Sequence, residues 1–486
     1  MAVRVARNSG LLLFSRFGAL VGRLALVRLA APYLGPSGFG LYALLFAMTD
    51  VAVTLATFGL GVILVRESLR DEKEAPAHLG AFMAVRAALC LALAVPVLLA
   101  VQVTHPAPEL AWAIRIMVFH GIGQVLLNQA NTIFLAYERL SYQCAVTLAN
   151  IALTVLLTLG AVRMDLGLLG VLGAATLGSW LVIPAGLLIS FSRFMWPSWR
   201  PSLWRFHVAQ GIPVTASNLL SRAYSRVDIF VLGGLRGKAD VGIFNGAYGA
   251  VQVLMELPEM ILRGALPVAV RLSHRSADGL ALAYQKMLKL MLALGLPVGV
   301  FLALAGDRVL PLLLGPGFGE SALALRLLTP MIVLTFPNRL FWYVLLCANR
   351  QTLAAAITGI ATALNLALDL ALVPHFGVVG ACVGTSLAEA SLFVMGLFFV
   401  TKHVGDGRPL TAVAKPAVAA LVMGLVMLVV RAHTNSLWVL APGAMVSYWV
   451  ASRWLRIFTR AEIAQIRRLS AEAPAEAPIA RTPVPD

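Results

Sequence analysis

The chain has little charge of either sign. Only 12% of its 486 residues are charged, whereas soluble domains carry about 25%. Hydrophobic residues make up 60% of the chain, and its mean hydropathy is +0.86. This composition excludes an ordinary soluble globular protein and predicts an integral membrane protein.

Cysteine is also scarce. The four cysteines stand singly in apolar runs, and none has the spacing of a disulfide framework or of a Cys/His metal site. We therefore expect them to pack in the interior, and we expect neither a metal nor a cofactor. They are Cys90, Cys144, Cys347 and Cys382.

Long apolar runs are abundant. A membrane-spanning helix needs about 20 mostly apolar residues, and fourteen runs meet that requirement. They are 10–31, 39–63, 80–103, 110–136, 142–162, 167–191, 209–234, 241–265, 285–305, 323–347, 353–373, 378–400, 412–430 and 436–455. The first run carries arginines and has no small-residue cleavage site, so we interpret it as a retained helix rather than a signal peptide.

The basic residues lie mostly in short segments between these runs. They favour the loops on the side of both termini, such as 66–73 and 193–205. The positive-inside rule then places both termini in the cytoplasm of a multi-pass protein of the cytoplasmic (inner) membrane. Because the net charge of +16 is spread over these loops, we do not expect nucleic acid as a partner.

A Trp- and Pro-rich linker and an internal repeat divide the chain. A shift of 202 residues aligns Gly35 with Gly237 and Gly40 with Gly242. The pattern predicts an all-α polytopic protein of about 14 transmembrane helices, with two pseudo-repeated six-helix halves, an arrangement typical of alternating-access carriers. The expected units are residues 1–192, the cytoplasmic linker 193–208, the second half 209–400, two additional helices over 401–456, and a partly disordered cytoplasmic tail over 457–486.

Five arginines interrupt the apolar runs. Each would cost at least about 2.5–3.5 kcal/mol in hydrocarbon, so such residues face an interior cavity. Helical spacing puts Arg16 and Arg23 on one face of the first helix, and Arg222 and Arg226 on one face of the seventh. A guanidinium donates two parallel hydrogen bonds to a diphosphate. The alternative is that Asp50, Asp228 or Glu389 neutralises them. They are Arg16, Arg23, Arg222, Arg226 and Arg339.

Other polar residues at membrane depth have two interpretations each. Asp50, Asp228 and Glu389 could exchange a coupling proton or could hold helices together. The amides Asn128, Gln252 and Asn365 lie in polar stripes that could contact a sugar or could form interhelical hydrogen bonds. By contrast, Arg28, Arg86 and Arg115 lie near predicted interfaces, and we expect them to extend into water.

Three segments carry a family resemblance. They are Leu-Gly-Pro-Ser-Gly-Phe-Gly-Leu-Tyr at 34–42, Val-Asp-Ile-Phe-Val-Leu-Gly at 227–233, and Asn365 followed by 372–381. With these segments the chain resembles the polysaccharide flippases of the multidrug, oligosaccharidyl-lipid and polysaccharide exporter superfamily. The similarity covers residues 8 to 400 and is weaker over the last two helices.

The resemblance implies a function. A flippase of this family moves an undecaprenyl-diphosphate-linked oligosaccharide from the cytoplasmic to the periplasmic leaflet, for O-antigen (lipopolysaccharide), capsule or exopolysaccharide. Its two halves form a V-shaped cavity that opens alternately to each side, and its last two helices form a groove for the lipid tail. The implied partners are this substrate, membrane lipids, a proton or sodium gradient, and the polysaccharide polymerase machinery.

Three other functions are alternatives to a polysaccharide flippase. A cation-coupled multidrug exporter of the same superfamily should carry an excess of carboxylates at mid-membrane, whereas arginines dominate here. A lipid II flippase would use the same cationic cavity and stays open. An enzyme such as a polymerase or ligase needs a catalytic loop, but the longest candidate, 306–322, has three charged residues and shows no catalytic constellation. We expect no enzyme.

Overall fold

The computed structural model is a bundle of long helices. It describes residues 2–71, 73–275, 277–405, 409–434 and 436–459, without the side chains of 2–9, 11–13, 263–279 and 409–411. Within these ranges there is no strand, and the predicted all-α fold is confirmed. The helices are α1 Ala2–Thr57, α2 Leu60–Arg70, α3 Ala75–Thr104, α4 Pro108–Ala136, α5 Leu140–Arg163, α6 Gly167–Arg193, α7 Trp204–Leu235, α8 Lys238–Arg275, α9 Ala277–Leu314, α10 Gly319–Leu327, α11 Thr329–Cys347, α12 Gln351–Phe376, α13 Val378–His403, α14 Pro409–His433 and α15 Leu437–Trp454.

Ten segments of the described part are long and apolar enough to cross a membrane. The difference from the fourteen predicted runs has a simple cause. The segment Phe14–Arg70 contains two of the predicted spans, and α7, α8 and α15 are too polar to count among the ten. The predicted tail lies almost wholly outside the described residues, from 460 onward.

Two helices are longer than their apolar runs. The helices α8 and α9 have 38 residues each, which at 1.5 Å per residue is about 57 Å. The hydrocarbon core of a bilayer is about 30 Å thick. Each of these helices is therefore longer than the hydrocarbon core is thick, whereas the predicted runs stopped at 265 and began at 285.

The repeated glycines form two equivalent bends. Gly35 interrupts α1 with φ 64°, and Gly237 between α7 and α8 has φ 100°, a region in which residues with a Cβ are disfavoured. A straight helix of 56 residues would measure about 84 Å. The Gly35 bend therefore separates α1 into a first limb and a second limb. We call the side of the bundle with these two bends the turn side, and the side with the 193–203 segment the linker side.

The second limb of α1 and the start of α8 cross in direct backbone contact on the turn side. A Cβ on Gly40 would lie 1.7 Å from the Lys238 carbonyl oxygen, and one on Gly242 would lie 1.9 Å from that of Pro36. Phe39 and Phe244 are fully buried beside the crossing, in an apolar core that both halves share. The turn side of the bundle is closed by this contact.

Replacing Gly242 with alanine is expected to destabilise the protein by about 1–3 kcal/mol, since the new methyl group would overlap backbone that cannot move aside. The measurement is thermal unfolding of purified protein in detergent. Gly249→Ala on the same helix is the control, because a Cβ there meets nothing within 4 Å. Equal melting temperatures for the two variants would contradict the close crossing.

On the linker side, the start of α7 contacts the first half. His207 is fully buried, and its Nε2 lies 3.1 Å from His78 Nδ1 on α3. Burial, together with the neighbouring His78, lowers the pKa of His207 to about 4, against the opposing effect of Glu67 on α2. The folded protein therefore holds this imidazole neutral where α2, α3 and α7 meet.

Acid is expected to weaken the fold through His207. Its folded pKa lies below the value of about 6.5 for an unfolded chain, so between these two values the unfolded state binds more protons. The stabilisation is complete above about pH 6.5 and is lost as the pH falls toward 4. Melting temperatures of wild type and His207→Phe across this range test it. The exposed His403 supplies the control, His403→Phe, and an identical pH slope in all three proteins would refute the assignment.

Candidate functional site

Asp50 on the second limb of α1 joins two of the predicted arginines. Its Oδ2 lies 3.0 Å from Arg222 Nη1 and 3.5 Å from Arg226 Nη2, both on α7. The two arginines are four residues apart and therefore share a helix face. The side chain of Arg222 remains 48% exposed and that of Arg226 20% exposed. One carboxylate thus holds two guanidinium groups and leaves an excess positive charge.

Arg16 lies between the first limb of α1 and α8. Its Nη1 is 3.8 Å from Glu256 Oε2, and both side chains are about one third exposed. The pairing that the sequence left open thus occurs, but with a glutamate that was not among the expected partners. A half-solvated pair at this distance is weak, so Arg16 can exchange this partner for an anion.

Arg23 and Arg339 are exposed and form no ion pair with any described residue. Arg23 is seven residues after Arg16, on the same helix face. Arg339 on α11 and Arg226 on α7 both interact electrostatically with the buried Tyr248 of α8. The structure thus brings guanidinium groups from α7 and α11 to one side chain of α8.

We call Arg16, Arg23, Arg222, Arg226 and Arg339, with Asp50 and Glu256, the arginine cluster. It contains five guanidinium groups and only two carboxylates, and the carboxylates pair with three of the five. A guanidinium is always charged and donates hydrogen bonds in a planar fork, which matches phosphate oxygens. The cluster is therefore suited to binding a group with several negative charges.

Asp228, two residues after Arg226, belongs to a different site. Its Oδ1 accepts hydrogen bonds from Asn365 Nδ2 at 3.1 Å and from Thr385 Oγ1 at 2.7 Å. The carboxyl group of Asp369 on α12 lies next to that of Asp228. Asp228 therefore does not neutralise the arginines, because residues two apart point to nearly opposite sides of a helix.

This second site, the carboxyl pair site, consists of Asp228, Asn365, Asp369 and Thr385. Asp228, Asn365 and Asp369 are at most 1% exposed. Asn365 Oδ1 and both oxygens of Asp369 lie buried without a hydrogen-bond donor. Adjacent buried carboxylates need a proton or a cation for neutralisation, and carboxylate, amide and hydroxyl oxygens suit a hard cation. These residues fit a proton or a small monovalent cation.

Glu389 on α13 is 4% exposed and saturated with donors. It accepts hydrogen bonds from Tyr224 Oη, from Thr335 Oγ1 at 3.0 Å and from Asn338 Nδ2 at 3.0 Å. It pairs with no arginine of the described part. Its contacts connect α7, α11 and α13, which orients the helix faces that carry Arg222 and Arg339.

Arg86 corrects one expectation, since it does not extend into water. It is 3% exposed, lies over the Phe82 ring at 3.9 Å, and donates to Asn128 Oδ1 at 3.0 Å and to the Thr57 carbonyl at 3.3 Å. The reason is that α1 ends at Thr57, where carbonyls lack helical partners. Asn128 therefore belongs to this contact in the first half and not to the arginine cluster.

Several site residues were not identified from the sequence. Thr385 of the carboxyl pair site, and Tyr224 beside Glu389, were not predicted. Asp369 was expected only as part of the polar stripe that contains Asn365, one helical turn before it, and not as a partner of Asp228. Gln252, which was singled out, is half-buried on α8.

Comparison with known proteins gives consistent results. A family model described as polysaccharide biosynthesis protein matches residues 5–273. A curated relative, the probable low-salt glycan biosynthesis flippase Agl15 of Haloferax volcanii, is 22% identical over 42% of this chain and 43% of its own length. The chain thus spans less than half the length of that relative.

Solved structures share the fold over most of the chain. The lipid II flippase MurJ in an inward closed conformation has a TM-score of 0.76 at 14% identity, over 93% of this chain and 99% of its own. The inward-facing conformation of a multidrug resistance MATE family transporter of the MOP superfamily has a TM-score of 0.69 at 18% identity, over 82% of this chain and 95% of its own. At such low identities, these likenesses show the fold alone.

Proposed function

The chain belongs to the family of polysaccharide biosynthesis proteins, and from that premise we propose that it is a flippase for a lipid-linked oligosaccharide. The substrate is an undecaprenyl-diphosphate-linked oligosaccharide, and it moves from the cytoplasmic to the periplasmic leaflet of the inner membrane for surface polysaccharide such as O-antigen. The lipid II flippase and multidrug transporter in the comparisons have related folds, and the name of the curated relative is that of a glycan flippase.

The observation that carries the proposal is the unneutralised positive charge of the arginine cluster. Arg23 and Arg339 are exposed at membrane depth without an ion pair in the described part of the chain. A guanidinium in hydrocarbon would be costly, so a water-filled cavity or an anionic ligand has to surround these groups. A diphosphate supplies that ligand. A site for organic cations would instead need exposed carboxylates, and this argues against a multidrug exporter.

The placement of the contacts supports a mechanism of alternating access. The turn side is closed by the Gly40 and Gly242 crossing, while the arginine cluster lies in half-exposed positions between the two halves. We take this as the state open to the linker side, which the basic loops assign to the cytoplasm. The substrate headgroup would enter the arginine cluster there, and separation at the glycine crossing would release it on the opposite side.

The carboxyl pair site is proposed to couple transport to a sodium or proton gradient. Arg226 and Asp228 are two residues apart on α7, so an ion that moves Asp228 relative to Asn365 and Thr385 also moves the arginines. A bound cation can shift a conformational equilibrium only through different affinities for the two states. In the present state both carboxyl oxygens of Asp369 are buried without a hydrogen-bond donor. A cation that binds these oxygens here, and not in the other state, would favour the present conformation.

The direct test is reconstitution into liposomes that contain a fluorescent polyprenyl-diphosphate oligosaccharide in the inner leaflet only. Accessibility to an added glycosidase should rise with time in the presence of the protein and stay constant in its absence. Liposomes with Arg339→Ala protein, which should fold without translocating because Arg339 is exposed and forms no ion pair with a described residue, control for leakage and for the effect of purification. Unchanged accessibility with correctly folded wild-type protein and imposed sodium and proton gradients would reject the proposal.

A further inference from the structure

An apolar cavity lies within the first half, separate from the arginine cluster. Its volume is about 580 Å³, and it is lined by the second limb of α1, by α3 and by α4. Small side chains create the space, since Ala52, Ala56, Ala94 and Gly121 all line it. Native cores seldom leave gaps of this size, and an apolar cavity does not retain water. Its natural occupant is therefore a hydrocarbon.

The packing of α3 explains why the cavity exists. Near the linker side, α3 is buried at Leu79, Phe82 and Arg86. Further along, its residues from 87 to 100 are exposed or half-exposed. The helix thus contacts the bundle firmly at its beginning and leaves a cleft beside its second half. Met48 at 60% exposure and Val97 at 42% are cavity-lining residues that remain open to the surroundings, and this provides a lateral entrance.

The shape of the cavity favours a long chain over a compact molecule. Its lining follows α1 from Leu41 to Ala56, a rise of about 22 Å at 1.5 Å per residue. That length is most of the hydrocarbon thickness of a bilayer, about 30 Å. The cavity also extends to Thr104 and Pro106 at the end of α3, so it reaches the turn side.

The cavity lies directly behind the arginine cluster. Thr49 and Ala52 line the cavity, while Asp50 on the same turn of α1 is bound to Arg222 and Arg226. One helix, about 10–12 Å in diameter, thus separates a site for an anionic headgroup from a site for a hydrocarbon chain. An amphiphile whose diphosphate binds the arginines can place its tail there by passing around α1.

We propose that this cavity binds the isoprenoid tail of the lipid-linked substrate, an inference that rests on the proposed function. It differs from the expectation that the last two helices hold the tail. In the described part of the chain, α14 and α15 use Met423, Met427 and Ala444 to pack against Ala305 of α9. Arg431 of α14 binds Asp307 at 2.7 Å, so these helices are fixed to the second half.

The test uses a polyprenyl diphosphate with a diazirine in its isoprenoid chain, added to the full-length protein in lipid nanodiscs. After illumination, labelled peptides are identified by mass spectrometry. We expect labelling of α3 and α4 that excess unlabelled polyprenyl diphosphate removes. The indole of Ala94→Trp should occupy part of the cavity and displace about two methylene groups of the isoprenoid tail from it. Labelling should therefore fall about tenfold. Ala92→Trp is the matched control, because Ala92 is exposed on α3 outside the cavity lining.

Each other outcome has a defined meaning. Competed labelling in α14 or α15, or equal labelling of the two tryptophan variants, would overturn the tail site and leave the proposed function intact. A phosphatidylethanolamine probe that labels α3 without competition by polyprenyl diphosphate would show that a bilayer acyl chain fills the cavity, which also overturns it. No competed labelling anywhere would reject the flippase proposal itself. Equal helical content by circular dichroism and a single symmetric peak in size-exclusion chromatography for wild type and both tryptophan variants confirm that the variants are folded.

Discussion

Alanine at Arg23 or at Arg339 is expected to abolish translocation while the protein still folds and inserts. Both side chains are exposed and form no ion pair with a described residue, so their removal breaks no ion pair in the described part of the chain. Each charge-assisted hydrogen bond to a phosphate contributes about 1.5–3 kcal/mol, and loss of one should weaken headgroup binding about tenfold to a hundredfold. The measurements are diphosphate binding by purified protein and surface polysaccharide in cells.

Removal of an arginine outside the arginine cluster should leave diphosphate binding and surface polysaccharide unchanged. Arg115→Ala is the matched control, because this side chain stacks on Trp112 at 5.0 Å, outside the arginine cluster. Arg339→Lys should retain part of the binding, since lysine keeps the charge but lacks the planar fork. Arg222→Ala should also stop transport, although it releases Asp50 as well. Normal surface polysaccharide in the Arg23 and Arg222 variants would refute the role of the cluster.

Asparagine at Asp228 or at Asp369 is expected to remove the dependence of transport on the ion gradient. Each change takes away one of the two carboxylates that make a cation or a proton necessary in the carboxyl pair site. In wild type, a cation at a hundred times its dissociation constant should stabilise the folded protein by about 2.7 kcal/mol. The measurement is the melting temperature in sodium and in choline, over a series of pH values.

Asp240→Asn is the control for this experiment. Asp240 forms a partly exposed ion pair with Arg236 at 3.5 Å, so its loss should leave the response to sodium unchanged. If sodium raises the melting temperature of wild type but not of Asp228→Asn or Asp369→Asn, the result identifies both the ion and its site. If Asp228→Asn and Asp369→Asn respond to sodium and to pH as wild type does, the carboxyl pair site has no coupling role.

The sequence was sufficient for the architecture because the bilayer restricts it. Apolar length predicted the helices, and the 202-residue shift identified Gly35 and Gly237, which both adopt positive φ. What the sequence could not supply was the partner of the second glycine in each repeat. Gly40 and Gly242 meet each other across the two halves, and no local pattern encodes a contact between residues so far apart in the chain.

Helical spacing accounts for part of the arrangement of these side chains, and tertiary packing accounts for the rest. Helical spacing put Arg222 and Arg226 on one face, and it could have placed Asp228 on another, since two residues correspond to about 200° of rotation. The ligands of Asp228 come from α12 and α13, which only tertiary packing brings together. Arg86 was misassigned because its depth was judged from the nearest interface, whereas its partner is the end of another helix at Thr57.

The most direct test of the central claim is mass spectrometry of undecaprenyl-linked glycans in cells with and without this protein, combined with their accessibility in each leaflet. The flippase account predicts that a complete oligosaccharide diphosphate accumulates in the cytoplasmic leaflet when the protein is absent, and that wild-type protein but not Arg339→Ala reverses the accumulation. No accumulation, together with a changed sensitivity to cationic drugs, would contradict it and would favour a multidrug exporter.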